Sequence, residues 1–224
     1  MAERVSFPSN GGTSEGYLAL PDRGSGPGVI VIQEWWGVVP HIEDVCRRFA
    51  AEGFAALSPD LYHGESTTSP DEAGKLMMAL NIGQAEKDLR GAVQYLVNHE
   101  AAQGDRVGTV GFCMGGQLSL FAATKNPAVG ACVVYYGIHP RVKPDLSALR
   151  APVLGFFGEN DVLVTPEAAR DLEARIRGAG KTAEFHVYPG AGHAFFNDTR
   201  PDAHHPKAAA DSWDRMLAFY RDRL

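Results

Sequence analysis

Hydrophobic positions along the chain follow two alternating rhythms. Val29–Ile32 is an unbroken β-branched run, the mark of a strand covered on both faces. After a loop, Ile42, Val45, Cys46, Phe49 and Ala50 recur at the spacing of one helix face, and Gly53 ends that helix. Phe54–Leu57 reads as a strand, and Leu89, Ala92, Val93, Leu96 and Val97 as a second helical stripe. The exchange continues with strand Val107–Phe112, a helix from Met114 to Thr124, and strands Ala131–Tyr136 and Val153–Phe157. A helix from Pro166 to Gly178, strand Ala183–Tyr188 and a last helix beginning near Lys207 complete it. Pro166 suits a first helical turn, where no N–H is needed. Repeated β–α alternation with near-continuous apolar strands predicts an α/β fold, a mostly parallel central sheet with helices on both faces. Arg4–Phe7 and Tyr17–Leu20 flank Gly11-Gly12 and predict an antiparallel N-terminal hairpin at one edge. Tyr62–Ile82 has weaker periodicity and two turn signals, and reads as a cap or lid over a site. With no internal repeat and no linker, residues 1–224 are expected to form a single domain.

Composition narrows the function. The 224 residues are 45 % hydrophobic and 21 % charged, ordinary globular usage. A net charge of −6 and scattered Lys and Arg exclude the basic stripe a nucleic-acid binder needs. The longest apolar runs fall far short of the ~20 residues that span a bilayer. Met1–Ser6 carries no apolar stretch of the signal-peptide kind. Cys46, Cys113 and Cys132 lie far apart and form no CxxC, which reads as a reduced, cytoplasmic protein with at most one special thiol.

That thiol is Cys113. Gly111-Phe112-Cys113-Met114-Gly115-Gly116 follows a predicted strand and opens a predicted helix, which is the G-x-nucleophile-x-G elbow with cysteine in place of serine. The glycines admit a turn too tight for flanking side chains, and a helix N-terminus favours thiolate. Cys46, on an apolar helix face, and Cys132, inside a strand, read as core residues. An elbow nucleophile needs an acid and then a histidine further along the chain. Asp161, three residues past the glycine that closes its strand, is the better acid, with Glu159 as its rival. His193 lies past the last strand among small residues, in Gly190-Ala191-Gly192-His193. The other seven histidines fall at helix ends, inside a strand, or in loops; His63 and His139 read as solvated. In this architecture the loop after the first core strand supplies one oxyanion N–H and the residue after the nucleophile the other, here Trp35 and Met114. Glu34 beside them reads as a residue that hydrogen-bonds the thiol and tunes its protonation.

Taken with Gln33-Glu34 and Gly37, Pro59-Asp60-Leu61-Tyr62, Tyr135-Tyr136-Gly137, Asp161 and His193, the elbow resembles the dienelactone hydrolase (carboxymethylenebutenolidase) family, over nearly the whole chain. The resemblance implies an α/β-hydrolase fold and a Cys113–His193–Asp161 triad, with Glu34 exchanging hydrogen-bonding roles with the thiol. It also implies a small lactone or carboxylic ester as substrate, cleaved through a cysteine acyl-enzyme; no cofactor is expected, and adjacent His204-His205 without i, i+4 spacing suggest no metal site. The alternatives are a broader carboxylesterase or acyl thioesterase and, in another class, a thiol-based oxidation sensor or binding protein without turnover. The chain departs from the family at its substrate-carboxylate clamp of two arginines. One position holds Asn197, and near the other Lys75 is the only basic residue. Asn lacks the charged fork of Arg, so a neutral lactone, ester or thioester becomes as fitting as a dienelactone. Trp36, Tyr62, Tyr135 and Asn197 are the substrate-binding candidates, with Trp35 against Trp36 and Tyr135 against Tyr136 left open as to which faces the pocket. Beyond its small-molecule substrate the chain is expected to engage neither nucleic acid nor membrane, as a monomer or weak dimer.

Overall fold

A computed structural model describes all residues except Asn10 and Arg23. The elements run β1 (Ala2–Ser9), β2 (Gly12–Ala19), β3 (Gly26–Ile32), α1 (Pro40–Ala51), β4 (Ala55–Pro59), α2 (Pro70–Ala79) and α3 (Ile82–Val97). They continue with β5 (Ala102–Phe112), α4 (Met114–Lys125), β6 (Val129–Tyr135), β7 (Val153–Gly158), α5 (Pro166–Gly178), β8 (Ala183–Tyr188) and α6 (Pro206–Arg223). One eight-stranded sheet has the order β1-β2-β4-β3-β5-β6-β7-β8. β1 and β2 form the antiparallel edge hairpin, β2 joins β4 antiparallel, and every pair from β4 onward is parallel. This is the α/β-hydrolase architecture.

The strand pleat decides which helix each residue meets. Gly28 and Val107, paired across β3 and β5, turn toward Leu96 of α3. Gly108, one residue on, turns the other way, against the ring of Tyr220 in α6. Helices therefore cover both faces, and α1 meets α6 through Phe49 and Trp213, rings 4.8 Å apart. Burying Val29–Ile32 completely between these layers is what their β-branched, all-apolar sequence requires.

Register brings the working ends of the strands to one edge. Ile32 pairs with Gly111, Phe112 with Tyr135, and Tyr135 with Phe156. The loops after β3, β5, β6, β7 and β8 all leave from that edge, and they carry Glu34, Cys113, Tyr136, Asp161 and His193. The stretch read as a cap or lid contains α2 and is tied to the loop after β3. Thr67 N–H donates to the Trp36 carbonyl at 3.0 Å, Leu61 N–H to Gln33 Oε1 at 3.1 Å, and Asp60 accepts from Tyr62 and Gly64 N–H. Its weak periodicity has a physical reason: α2 buries only Ala73. Among the described residues no helix is long and apolar enough to cross a membrane.

Candidate active site

β5 hands the chain to α4 through Cys113, which caps the helix with φ 54° and ψ −121°. That conformation is strained for a residue with a side chain, at a cost of about 1–3 kcal/mol. Two glycines make it attainable. A Cβ on Gly111 would collide with the Gly115 carbonyl, and one on Gly115 with the carbonyls of Ile32 and Gln33. The strained turn is held by hydrogen bonds from Cys113 N–H to the Tyr135 carbonyl (3.1 Å) and from Ile138 N–H to the Cys113 carbonyl (3.1 Å). Met114, as first residue of α4, presents an N–H that the helix ladder leaves over.

His193 leaves the loop after β8 and meets Asp161 from the loop after β7, with Nδ1 2.8 Å from Oδ2. The other carboxylate oxygen of Asp161 accepts N–H groups of Leu163 (2.8 Å) and Val164 (2.9 Å), which locks the side chain. Burial pulls the His193 pKa down, but the hydrogen bond with Asp161 and the neighbouring Cys113 outweigh it, and the ring is pushed up to about 10. Nε2 is buried without a hydrogen-bond partner. Cys113 is near enough to act on the ring's titration, yet the two do not form a well-directed hydrogen bond in this state. Glu159, the rival acid, is exposed and accepts Gly190 N–H at 2.9 Å, so it ties two loops together.

Glu34 is 1 % exposed, and Asn197 Nδ2–H donates to its Oε2 at 2.8 Å. Thr199 orients that amide by donating N–H (3.1 Å) and Oγ1–H (2.7 Å) to Asn197 Oδ1. Asn197 thus serves Glu34 first, though it also lines the adjoining cavity. Tyr62 donates its hydroxyl to Met114 Sδ at 3.2 Å, and burial followed by the nearby Cys113 pushes its phenol pKa up. Trp35 packs on the core edge, while Trp36, at 4.9 Å and edge-on to it, lines the cavity. Lys75 is exposed and ion-paired with Glu72 at 2.7 Å.

Two expectations need correction. Tyr135 does not face the site: it lies among Phe112, Phe156 and Phe196, with ring centroids 4.8–5.0 Å away. Tyr136 takes its place, with its ring 5.0 Å from that of His193 and a backbone turned to φ 38°. Burial, then Glu34 and Cys113, raise the Tyr136 pKa, which keeps its phenol neutral beside both groups. His139, read as solvated, is buried, with Nε2 3.2 Å from the Met77 carbonyl. His63, by contrast, is exposed, and reaches buried Asp88 at 3.2 Å. Burial raises the thiol pKa of Cys46 and lifts that of Cys132 to about 11, as suits inert core cysteines.

One residue of the site escaped the sequence reading. His41 is 2 % exposed, near enough to Glu34 for the carboxylate to act on its titration. A signal was there: His41 stands four and eight residues before Val45 and Phe49 and so shares their buried face of α1. Among the described residues no three His, Cys, Asp or Glu side chains gather as a metal would require.

Comparison with known proteins places the chain in a family. The model of the dienelactone hydrolase family matches residues 14–224. Protein usf of Aquifex pyrophilus is 36 % identical over the full length of both chains. A candidate carboxymethylenebutenolidase of Escherichia coli K12 is 36 % identical, over 97 % of this chain and 85 % of that one. The crystal structure of a candidate dienelactone hydrolase from Klebsiella pneumoniae superposes with a TM-score of 0.89 at 34 % identity, covering 99 % of this chain and 98 % of that one. With a family match over nearly its whole length and the hydrolase sheet beneath it, the chain belongs to the dienelactone hydrolase family and is a hydrolase acting on ester bonds.

Proposed function

We propose that the chain acts as a single catalytic unit that cleaves a small lactone or carboxylic ester through a Cys113 acyl-enzyme. The observation that carries this reading is the pairing of His193 Nδ1 with Asp161 at 2.8 Å, which leaves Nε2 unpartnered beside the Cys113 elbow. With Nδ1–H given to the carboxylate, Nε2 is the nitrogen that takes up and holds the thiol proton. A ring this basic accepts the proton readily and holds it until the departing alkoxide needs it. The Cys113 sulfur attacks the carbonyl carbon, and the negative oxygen so formed is received by the Trp35 and Met114 N–H groups. The C–O bond then breaks, His193 protonates the leaving oxygen, and a thioester remains on Cys113. Water, relieved of a proton by His193, hydrolyses that thioester and restores the thiol.

Glu34, buried and held by Asn197, stands within the same electrostatic environment and tunes the thiol proton. Thiolate leaves a tetrahedral intermediate more readily than an amine does, so esters are favoured over amides. Tyr62, Tyr136 and Trp36 form the surrounding walls.

The test is turnover of p-nitrophenyl acetate and a dienelactone by wild type and Cys113→Ala, with intact-mass detection. An adduct of acyl mass on wild type alone, with turnover lost in the variant, supports the covalent reading. A thiol that only oxidises, with neither compound turned over, overturns it in favour of a redox sensor.

A further inference from the structure

Tyr136 combines two unfavourable features. Its backbone is left-handed, with φ 38°, although it carries a large side chain, and its hydroxyl is buried without a hydrogen-bond partner among the described residues. The ring is fully buried, with centroids 5.0 Å from His193, 5.3 Å from Phe195 and 6.4 Å from Phe112. Tyr136 N–H donates to the Phe156 carbonyl at 2.8 Å. On either side of it the chain grips the nucleophile: the Tyr135 carbonyl accepts Cys113 N–H, and Ile138 N–H donates to the Cys113 carbonyl, both at 3.1 Å. Gly116 and Gly137 approach so closely that a Cβ on either would strike the backbone of the other. The strained turn at Tyr136 is thus fastened to the Cys113 elbow. A phenylalanine would fill the same space without an orphaned hydroxyl, so the resting fold alone gives no reason for the oxygen.

Charge around the phenol narrows what that oxygen serves. Burial, then Glu34 and Cys113, raise its pKa, so it keeps its proton and has a hydrogen bond to give, while the nearby Phe196 N–H can address only its lone pairs. Glu34 is an acceptor already present in this state, held through Oε2 by Asn197 at 2.8 Å, and the phenol does not bond it. Tyr62, the other phenol on which Cys113 acts, spends its proton on Met114 Sδ at 3.2 Å. The acceptor that the resting state lacks is the thiolate, formed when the Cys113 proton passes to His193 Nε2. A hydrogen bond given to a charged form favours that form. We propose that the Tyr136 hydroxyl is the donor that stabilises the Cys113 thiolate: the sulfur yields its proton to His193, rotates about χ1 toward the phenol and is hydrogen-bonded by it, while the phenol keeps its own proton. The assignment rests on the reading of Cys113 as nucleophile and adds to it a residue that makes the thiolate available.

The experiment follows the thiolate directly, by its ultraviolet absorbance and by the rate of alkylation with iodoacetamide, across the pH range in which the protein stays folded. Cys46 and Cys132 are fully buried, so a single added mass reports Cys113. Tyr136→Phe is expected to move the alkylation profile up by about one pH unit, so that the rate below its midpoint falls about tenfold, the yield of one hydrogen bond to a charged group. Its Tm should stay at or above that of wild type, because the oxygen removed has no partner in the resting fold. Made in a Glu34→Gln background, the same substitution should move the profile by the same amount. A profile that Tyr136→Phe leaves in place overturns the proposal, and a lowered Tm beside it would assign the phenol to packing. A shift that disappears with Glu34→Gln also overturns it, by making the carboxylate the partner of the phenol. Alkylation needs no ester, so a shifted profile supports the phenol even if wild type turns over none, a result that would count against the acyl-enzyme alone.

Discussion

Replacing Asp161 with Asn tests the site at its most rigid joint. Asp161 Oδ1 is fixed by two backbone donors, Leu163 N–H at 2.8 Å and Val164 N–H at 2.9 Å. In Asp161→Asn the amide oxygen must occupy that position, because the amide nitrogen cannot accept. The NH2 group then faces His193 Nδ1, which has to become the acceptor, and the ring proton moves to Nε2. A ring in that tautomer has no lone pair to receive the Cys113 proton. It also loses the carboxylate that helps hold its pKa near 10. The expected fall in kcat is a thousandfold to ten-thousandfold, or about 4–5.5 kcal/mol of barrier. Folding should survive, since the two backbone bonds and the shape remain. The assay is burst and steady-state kinetics on p-nitrophenyl acetate, beside a circular-dichroism melt to establish that the variant is folded. A folded variant within tenfold of wild-type kcat would refute the tautomer argument.

Two further outcomes follow from the same geometry. Because the folded His193 holds its proton up to about pH 10, whereas an unfolded ring releases it near 6.5, its contribution to stability is complete below 6.5 and is lost as pH rises through about 10. Wild-type Tm should therefore fall more steeply between pH 7 and 10 than that of His193→Gln, and parallel curves would count against the raised pKa. Gly115→Ala forces a methyl against the Ile32 and Gln33 carbonyls, which cannot rotate away. It should cost about 1–3 kcal/mol in urea unfolding and reduce activity by moving the elbow, and an unchanged midpoint would mean the backbone yields freely there.

Elements and chemistry that depend on neighbours in the chain were legible from the residues alone. The β-branched run of β3, the glycine spacing at Cys113 and the helix stripe of α1 each express a local requirement: a doubly covered strand, a turn with no room for Cβ atoms, an apolar face. The order nucleophile, acid, histidine belongs to the α/β-hydrolase architecture that the residues resemble, so Cys113, Asp161 and His193 could be named as candidates before any coordinates. What required tertiary structure was the direction of individual side chains and the pairing of distant ones. Strand alternation says that Tyr135 and Tyr136 point apart, but only the left-handed turn at Tyr136 sends that ring to His193 while Tyr135 sinks among phenylalanines. The inward turn of Asp161 is set by the Leu163 and Val164 amides, and the surface position of Glu159 by Gly190. Asn197 meets Glu34 across 163 residues of chain, and His41 turns inward because α1 packs against Phe112 and Phe196. Periodicity assigns a residue to a face; which residue waits opposite is set by the crossing of helices and sheet, and that is decided only when the whole chain closes on its core.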